Sequence, residues 1–163
     1  MAEFAVIWKV TDNHLKKITT MYTGLLHLHS GLAYLVLLVL AVCIVYAAIG
    51  AVSGREFTER DRKFALIGMV LTHVQFLVGL ILYFVSPLGL SNFSGEAMGD
   101  SLARLYMLEH PLINLIAVVL ITIGHGRAKR LSDSKVRFRN VYMFYAVGLI
   151  LILSRIPWST WLN

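Results

Sequence analysis

The sequence predicts an all-α membrane protein, a bundle of four transmembrane helices with both termini on the outer, periplasmic side. Of its 163 residues, 58% are hydrophobic and only 15% are charged, whereas a soluble domain is about half apolar and about a quarter charged. Charged residues are almost absent from four long stretches, at about 22–52, 64–86, 104–126 and 140–157. No alternating pattern typical of a transmembrane β-barrel appears, so the spans are predicted to be helices.

The N-terminal tail, residues 1–20, precedes a transmembrane domain that spans residues 21–163. The tail lacks the basic-then-apolar order of a signal peptide. Phe4, Ile7 and Trp8 fall on one side of a helix, which is typical of a short segment lying at the membrane interface. Two interpretations follow for residues 1–20: a short interfacial helix, or an N-terminal extension that precedes a start at Met21.

The spans themselves match the thickness of a bilayer, whose hydrocarbon core requires about 20 helical residues. The first three stretches are long enough or nearly so. The fourth is shorter, but Asn140 and Arg155 can extend their polar ends toward the interfaces. In the third, Asp100 or Ser101 is expected to cap the helix start, and Pro111 is expected to distort the helix beside His110.

Positive charge sets the expected orientation. The loops 53–63 and 126–140 carry ten of the 15 Lys and Arg residues, and basic loops face the cytoplasm. The net charge of +6 therefore reflects topology and contact with anionic lipid headgroups. Nucleic-acid binding is not expected, since no groove-reading module is visible.

Histidines inside the spans are the candidate functional residues, because ionisable groups in a membrane usually serve a function. Four histidines from three spans form the candidate set: His27, His29, His73 and His110. His27 and His29 are about 200° apart around a helix, so they cannot share a partner, and either could be a ligand. His125 adjoins the basic loop, where contact with the interface is the favoured interpretation.

A b-type haem fits this set, because it needs one or two imidazoles from facing helices and small residues beside the porphyrin. Gly31 and Gly79 are candidates for those small residues. Arg155, near the outer surface, is a candidate partner for haem propionates, although a bond to Glu109 or to lipid phosphate is an equal alternative. One haem is favoured over two, since a second would need His73 at the depth of His125.

The stretches "GLLHLHSGL", "DRKFALIGMVLTHVQFLVGLILYF" and "EHPLINLIAVVLITIGHGRAKR" resemble short bacterial four-span proteins labelled cytochrome b. The resemblance covers about residues 21–158. It implies haem bound by helix histidines, here His27 or His29, His73 and His110, in a multi-pass protein of the bacterial inner membrane. More distantly, "THVQFLVGLILY" and "HPLINLIAVVL" resemble one half of haem A synthase. That family's glutamate four residues before a histidine is replaced here by the adjacent Glu109–His110 pair, so no catalysis is carried over.

The leading hypothesis is a membrane cytochrome that carries electrons rather than a stand-alone catalyst. Its redox partners would be a quinone, near polar groups such as Tyr34, Gln75 and Tyr83, or other subunits of a membrane complex. The alternative from another class is a structural or accessory subunit whose histidines only donate and accept hydrogen bonds. A zinc or copper site built from three histidines, or a proton relay, is a third interpretation.

Overall fold

The computed structural model describes residues 2–161, with side chains described from residue 16 onward, and the described chain is helical without strands. Four long helices dominate it: α1 (Ala2–Ser53), α2 (Glu59–Val85), α5 (His110–Arg130) and α6 (Ser134–Ser154). Each lies in a segment long and apolar enough to cross a membrane, the third segment running over Ser101–Arg130. This confirms the prediction of four spans and indicates a multi-pass protein in a lipid bilayer.

The tail does not break from the first span, because α1 continues through residues 2–20 as one helix. An α-helix of 52 residues is about 78 Å long, more than twice the roughly 30 Å of a hydrocarbon core. The apolar side predicted for the tail, with Phe4, Ile7 and Trp8, lies outside the residues whose side chains are described.

The four long helices form a closed ring in which neighbours are α1 and α2, α2 and α5, α5 and α6, and α6 and α1. Neighbouring helices run antiparallel. For example, Cys43 Sγ contacts the Phe64 carbonyl at one end of the α1–α2 pair, and Gln75 contacts the His29 carbonyl nearer the other. Antiparallel packing places the loops 54–58 and 131–133 at one end, called here the basic end. The opposite end is called the histidine end.

Small residues let the helices approach closely, as expected where lipid removes the hydrophobic drive for helix association. A Cβ added at Gly148 of α6 would lie 2.7 Å from Ile121 of α5, and one at Gly50 of α1 would lie 2.5 Å from the Phe138 ring. Tyr145 is fully buried, and its hydroxyl donates to the Ala65 carbonyl at 2.7 Å. The centre of the bundle is therefore tightly packed.

The basic end is held by a buried carboxylate. Asp61, only 3% exposed, accepts hydrogen bonds from the Thr58 amide, the Thr58 hydroxyl and Arg55 Nη2, each at 2.7 Å. The Thr58–Asp61 pair forms the capping box that starts α2. Arg55 also lies over the Phe138 ring, 4.5 Å from its centroid, which ties the loop to α6.

The segment joining α2 to α5 at the histidine end is more ordered than a simple surface loop. It contains a 3₁₀ turn (Leu90–Asn92), two short helices, α3 (Gly95–Gly99) and α4 (Ser101–Arg104), and a π-helical turn (Leu105–Glu109) that leads directly into α5. Asp100 caps α4 through a 2.7 Å bond from the Ala103 amide, as predicted. A last short helix, α7 (Trp158–Trp161), follows α6.

The π turn is where the distortion expected from Pro111 occurs. Proline has no N–H, so the carbonyl of Met107, four residues earlier, lacks its usual α-helical donor. The Tyr83 hydroxyl of α2 donates to that carbonyl at 3.0 Å. A wider π turn before a proline is a common accommodation, and here it brings His110 to the start of the regular helix.

Candidate functional site

Two of the predicted histidines meet at the histidine end of the bundle. The rings of His29, on α1, and His110, on α5, are edge to face, with centroids 6.3 Å apart and planes at 77°. These helices are not neighbours in the ring, so the two imidazoles meet across the bundle. Both residues are half-buried. The structure therefore brings together two imidazoles from separate spans.

The His29 ring packs directly on α2, where Gly79 leaves room for it. A Cβ added at Gly79 would lie 2.7 Å from the ring carbon Cε1 and 3.3 Å from Nδ1. One turn earlier, Gln75 Nε2 donates to the His29 backbone carbonyl at 2.9 Å. His29 Nδ1 and Gln75 Oε1 are both buried without a hydrogen-bond partner, so this corner of the site holds a potential donor and an acceptor that are unused.

The His110 ring is oriented by the end of α6. Its Nδ1 lies 2.7 Å from the Arg155 backbone carbonyl, and a carbonyl only accepts, so Nδ1 carries the proton. The remaining nitrogen of the neutral ring, Nε2, is then unprotonated and available as an acceptor. This arrangement, in which one imidazole nitrogen donates to a carbonyl and frees the other, is common for histidines that bind metal ions.

An ion-pair group lies next to His110. Glu109 accepts from Arg104 Nε at 2.8 Å and pairs with Arg155 Nε at 3.3 Å. Arg155 is therefore bound to Glu109, which is one of the two alternatives given for it. Two guanidinium groups share one carboxylate, so the three side chains together retain a positive charge. An anion could accept hydrogen bonds from their remaining N–H groups.

His27 lies apart from this site. It is on the exposed side of α1, as the angle of about 200° between residues 27 and 29 requires once His29 faces α2. Gly31 is also exposed, and a Cβ there would meet no atom within 4 Å. Of the candidates on α1 and α2, His29 and Gly79 are therefore in contact inside the bundle. His27 and Gly31 face outward and do not line the site.

His73 and His125 do not join the pair either. His73 Nδ1 lies 2.8 Å from the Met69 carbonyl of its own helix, and Nε2 lies 3.2 Å from the Thr122 hydroxyl of α5. His125 is buried near the basic end, close to the charges of Arg62 and Lys129. His73 is therefore held by hydrogen bonds to α2 and α5, and His125 lies among the cations of the basic end.

The polar groups suggested for quinone contact are mostly engaged inside the protein. Gln75 binds the His29 carbonyl and Tyr83 binds the Met107 carbonyl. Tyr34 is exposed, and its ring stacks on Trp161 of α7, with centroids 4.4 Å apart. These three side chains therefore serve internal contacts here.

The donor set can be tested against the cofactors considered. Among the side chains described, no group of three or more His, Cys, Asp or Glu residues is arranged to hold a metal ion. A tetrahedral zinc site needs three or four protein ligands. Two imidazoles on opposite sides of one metal ion, with metal–nitrogen bonds of about 2 Å, would have ring centroids about 6 Å apart. The 6.3 Å separation of the His29 and His110 centroids is close to that distance, whereas two histidines alone do not make a protein-only zinc site.

Sequence reasoning missed two partners. The partner of His110 is the Arg155 carbonyl, a backbone atom that no residue pattern reveals. The partner of His73 is Thr122, a single hydroxyl within an apolar run, and its polarity was a signal that could have identified it.

Comparison of the chain with protein-family profiles, with curated proteins and with solved structures gives no match.

Proposed function

We propose that this protein is a membrane b-type cytochrome in which His29 and His110 would hold one haem. The observation that supports the proposal most strongly is the 6.3 Å separation of their ring centroids, which is close to the roughly 6 Å expected for two imidazoles across one metal ion. Pairs of imidazoles from facing helices are the usual ligands of b-type haem in helix bundles.

Bound haem would supply one-electron transfer, and the chain's own residues would hold and orient it. The Arg155 carbonyl keeps the His110 proton on Nδ1 and so presents Nε2. Gly79 leaves the space that the His29 ring occupies. Arg104 and Arg155, with the net positive charge left after pairing with Glu109, are suited to bind the two propionate groups.

The proposed role is electron transfer rather than stand-alone catalysis, with a membrane quinone or another subunit of a redox complex as the partner. Among the described residues we find no arrangement of nucleophile, base and orienting group of the kind that hydrolytic catalysis requires. A small apolar bundle that excludes water suits a protein whose task is to hold a redox group at a defined potential.

The proposed location is the bacterial inner membrane, with both termini outside and the basic end in the cytoplasm. The support is the concentration of Lys and Arg in the loops at the basic end. Replacing the lone Cys43 by Ala allows single cysteines to be placed at residue 95 or residue 132. In intact cells a membrane-impermeant maleimide should label the first position and not the second, and the reverse pattern would overturn the orientation.

The haem proposal is tested by an optical spectrum of protein purified after haem-replete expression. A Soret band with about one haem per chain is expected. His29→Gln and His110→Gln should each abolish low-spin ligation or reduce haem content by about tenfold or more, since loss of a ligand removes a metal–nitrogen bond. His27→Gln is the matched control and should leave the spectrum unchanged. A wild-type protein without a Soret band would refute the proposal.

A structural or accessory subunit is the second candidate function, and a specific observation favours it. Both nitrogens of His73 are within hydrogen-bonding distance of protein atoms, which shows that a histidine inside a span of this chain can be held by hydrogen bonds alone. If His29 and His110 do the same, replacing both with Gln should leave assembly with partner subunits intact. Co-purification of the double variant with the same partners as the wild type, with no cofactor in either, would favour this function.

A further inference from the structure

One polar pair in the middle of the bundle has no part in the site described above. His73 lies near the centre of α2 (Glu59–Val85), and its Nε2 is 3.2 Å from the Thr122 hydroxyl of α5. Residues near the centre of a spanning helix lie deep in the hydrocarbon, away from lipid headgroups. A histidine at this depth is costly and is usually retained for a function.

The pair opens toward lipid rather than toward the bundle interior. Thr122 is exposed, and the side chains beside it, Val119 and Ile123, are 48% and 42% exposed. Next to His73 on α2, Val70 and Leu77 are 46% and 57% exposed. A hydroxyl and an imidazole thus form a polar spot on an apolar surface, and any molecule that reaches them must itself dissolve in the bilayer.

The hydrogen bonds leave part of this pair unused. His73 Nδ1 donates to the Met69 carbonyl at 2.8 Å, so Nε2 is an acceptor. The Thr122 hydroxyl has a single proton, and both the Val118 carbonyl, at 2.7 Å, and His73 Nε2 are within its reach. When the proton points to Val118, Nε2 can accept from another donor. When it turns away from Val118, the hydroxyl can donate to an outside oxygen.

We infer that His73 and Thr122 bind the head group of a membrane quinone or quinol at the lipid-facing surface where α2 and α5 meet. A quinol hydroxyl donates to His73 Nε2, and a quinone carbonyl accepts from the Thr122 hydroxyl, so the pair can bind both redox forms. The inference deepens the proposed function, on which it rests, by naming the partner and its site. Gly79, which contacts His29, is six residues beyond His73, about 9 Å along the helix axis.

The test uses wild-type protein in nanodiscs of phosphatidylcholine and an azido-quinone photoprobe, with the labelled peptides mapped by mass spectrometry. Saturable labelling of α2 or α5 near residues 73 and 122 is expected, with competition by decylubiquinone and by decylubiquinol. Thr122→Val and His73→Leu should each weaken competition about fivefold to tenfold, since each removes one hydrogen bond.

Thr20→Val is the matched control, because the Thr20 hydroxyl is also exposed and donates to the carbonyl four residues earlier, at 2.9 Å, and no histidine lies three or four residues from it on α1. It should leave labelling unchanged. The inference would be overturned if labelling is not saturable, if it maps elsewhere, or if it survives Thr122→Val. A cross-link showing that a second copy covers His73 and Thr122 would also overturn it. The assay needs no haem signal. Labelling without a Soret band would therefore reject the cytochrome alone, and a Soret band without labelling would reject the quinone site alone.

Discussion

The imidazole of His29 occupies the space that a side chain at residue 79 would fill, since a Cβ at Gly79 would lie 2.7 Å from His29 Cε1. The contact sets the distance between α1 and α2 at the histidine end. It also places the His29 ring where it can meet His110. A glycine on one helix therefore determines the position of a candidate ligand on another.

Gly79→Ala should displace the His29 ring, because overpacking a tight contact costs about 1–3 kcal/mol. If His29 is a haem ligand, we expect about tenfold weaker haem binding, measured by titrating haem-depleted protein in detergent. Gly31→Ala is the control, since a Cβ there meets no atom within 4 Å, and it should leave haem binding unchanged. Equal behaviour of the two variants would show that the Gly79–His29 contact does not matter.

Gln75 is expected to position His29. An imidazole that binds a metal through Nε2 carries its proton on Nδ1 and needs an acceptor for it, and Gln75 Oε1 is a buried acceptor without a partner. Gln75→Leu should weaken haem binding by about 10-fold to 100-fold and change the midpoint potential, measured by redox titration. Gln75→Glu keeps an acceptor oxygen but loses the donor to the His29 carbonyl, so it should retain more of the affinity than Gln75→Leu and less than the wild type. An unchanged potential in Gln75→Leu would contradict this role.

Tyr83 should stabilise the π turn before Pro111. Tyr83→Phe removes the donor to the Met107 carbonyl and should cost about 1 kcal/mol of stability, measured by thermal unfolding in detergent. Pro111→Ala restores a backbone N–H that can donate to the same carbonyl. In that background Tyr83→Phe should therefore cost less, and additive effects in this double-mutant cycle would argue against the explanation.

Asp61 should be the main polar determinant of stability at the basic end. Asp61→Ala removes three hydrogen bonds of a buried carboxylate, and we expect a loss of about 2–3 kcal/mol. That corresponds to a fall in melting temperature of roughly 5 °C or more. Glu59→Ala is the control, because the Glu59 side chain is 68% exposed and forms a surface ion pair with Arg62, and the melting temperature of this variant should not change.

The pH dependence of this contribution follows from Arg55. Its hydrogen bond to Asp61 raises the pKa of the Arg55 guanidinium above an already high value. A raised pKa in a cation gives stability that is present below the unfolded-state pKa and lost only as pH rises through the folded-state pKa. The range from about pH 6 to pH 9 lies far below the pKa of arginine. The difference in melting temperature between wild type and Asp61→Ala, measured by thermal unfolding, should therefore stay constant across it.

The candidate site was only partly predictable. Helical spacing placed Gln75 and Gly79 on one face of α2, and the structure places both against His29. Spacing also required His27 and His29 to point apart, but it left open which of them faces the bundle. That choice depends on how α1 is rotated about its axis, which is decided by packing against α2 and α6 rather than by any local pattern.

The amino-acid order by itself determined the four membrane-spanning helices, because transfer of a segment into lipid depends on the summed polarity of that segment and on hydrogen bonds made within it. Only the tertiary structure decided that His29 meets His110, that His73 contacts Thr122 and that the Arg155 carbonyl binds His110. These contacts join residues far apart in the chain. They depend on helix rotation, close approach at glycines and backbone atoms, none of which a one-dimensional pattern specifies.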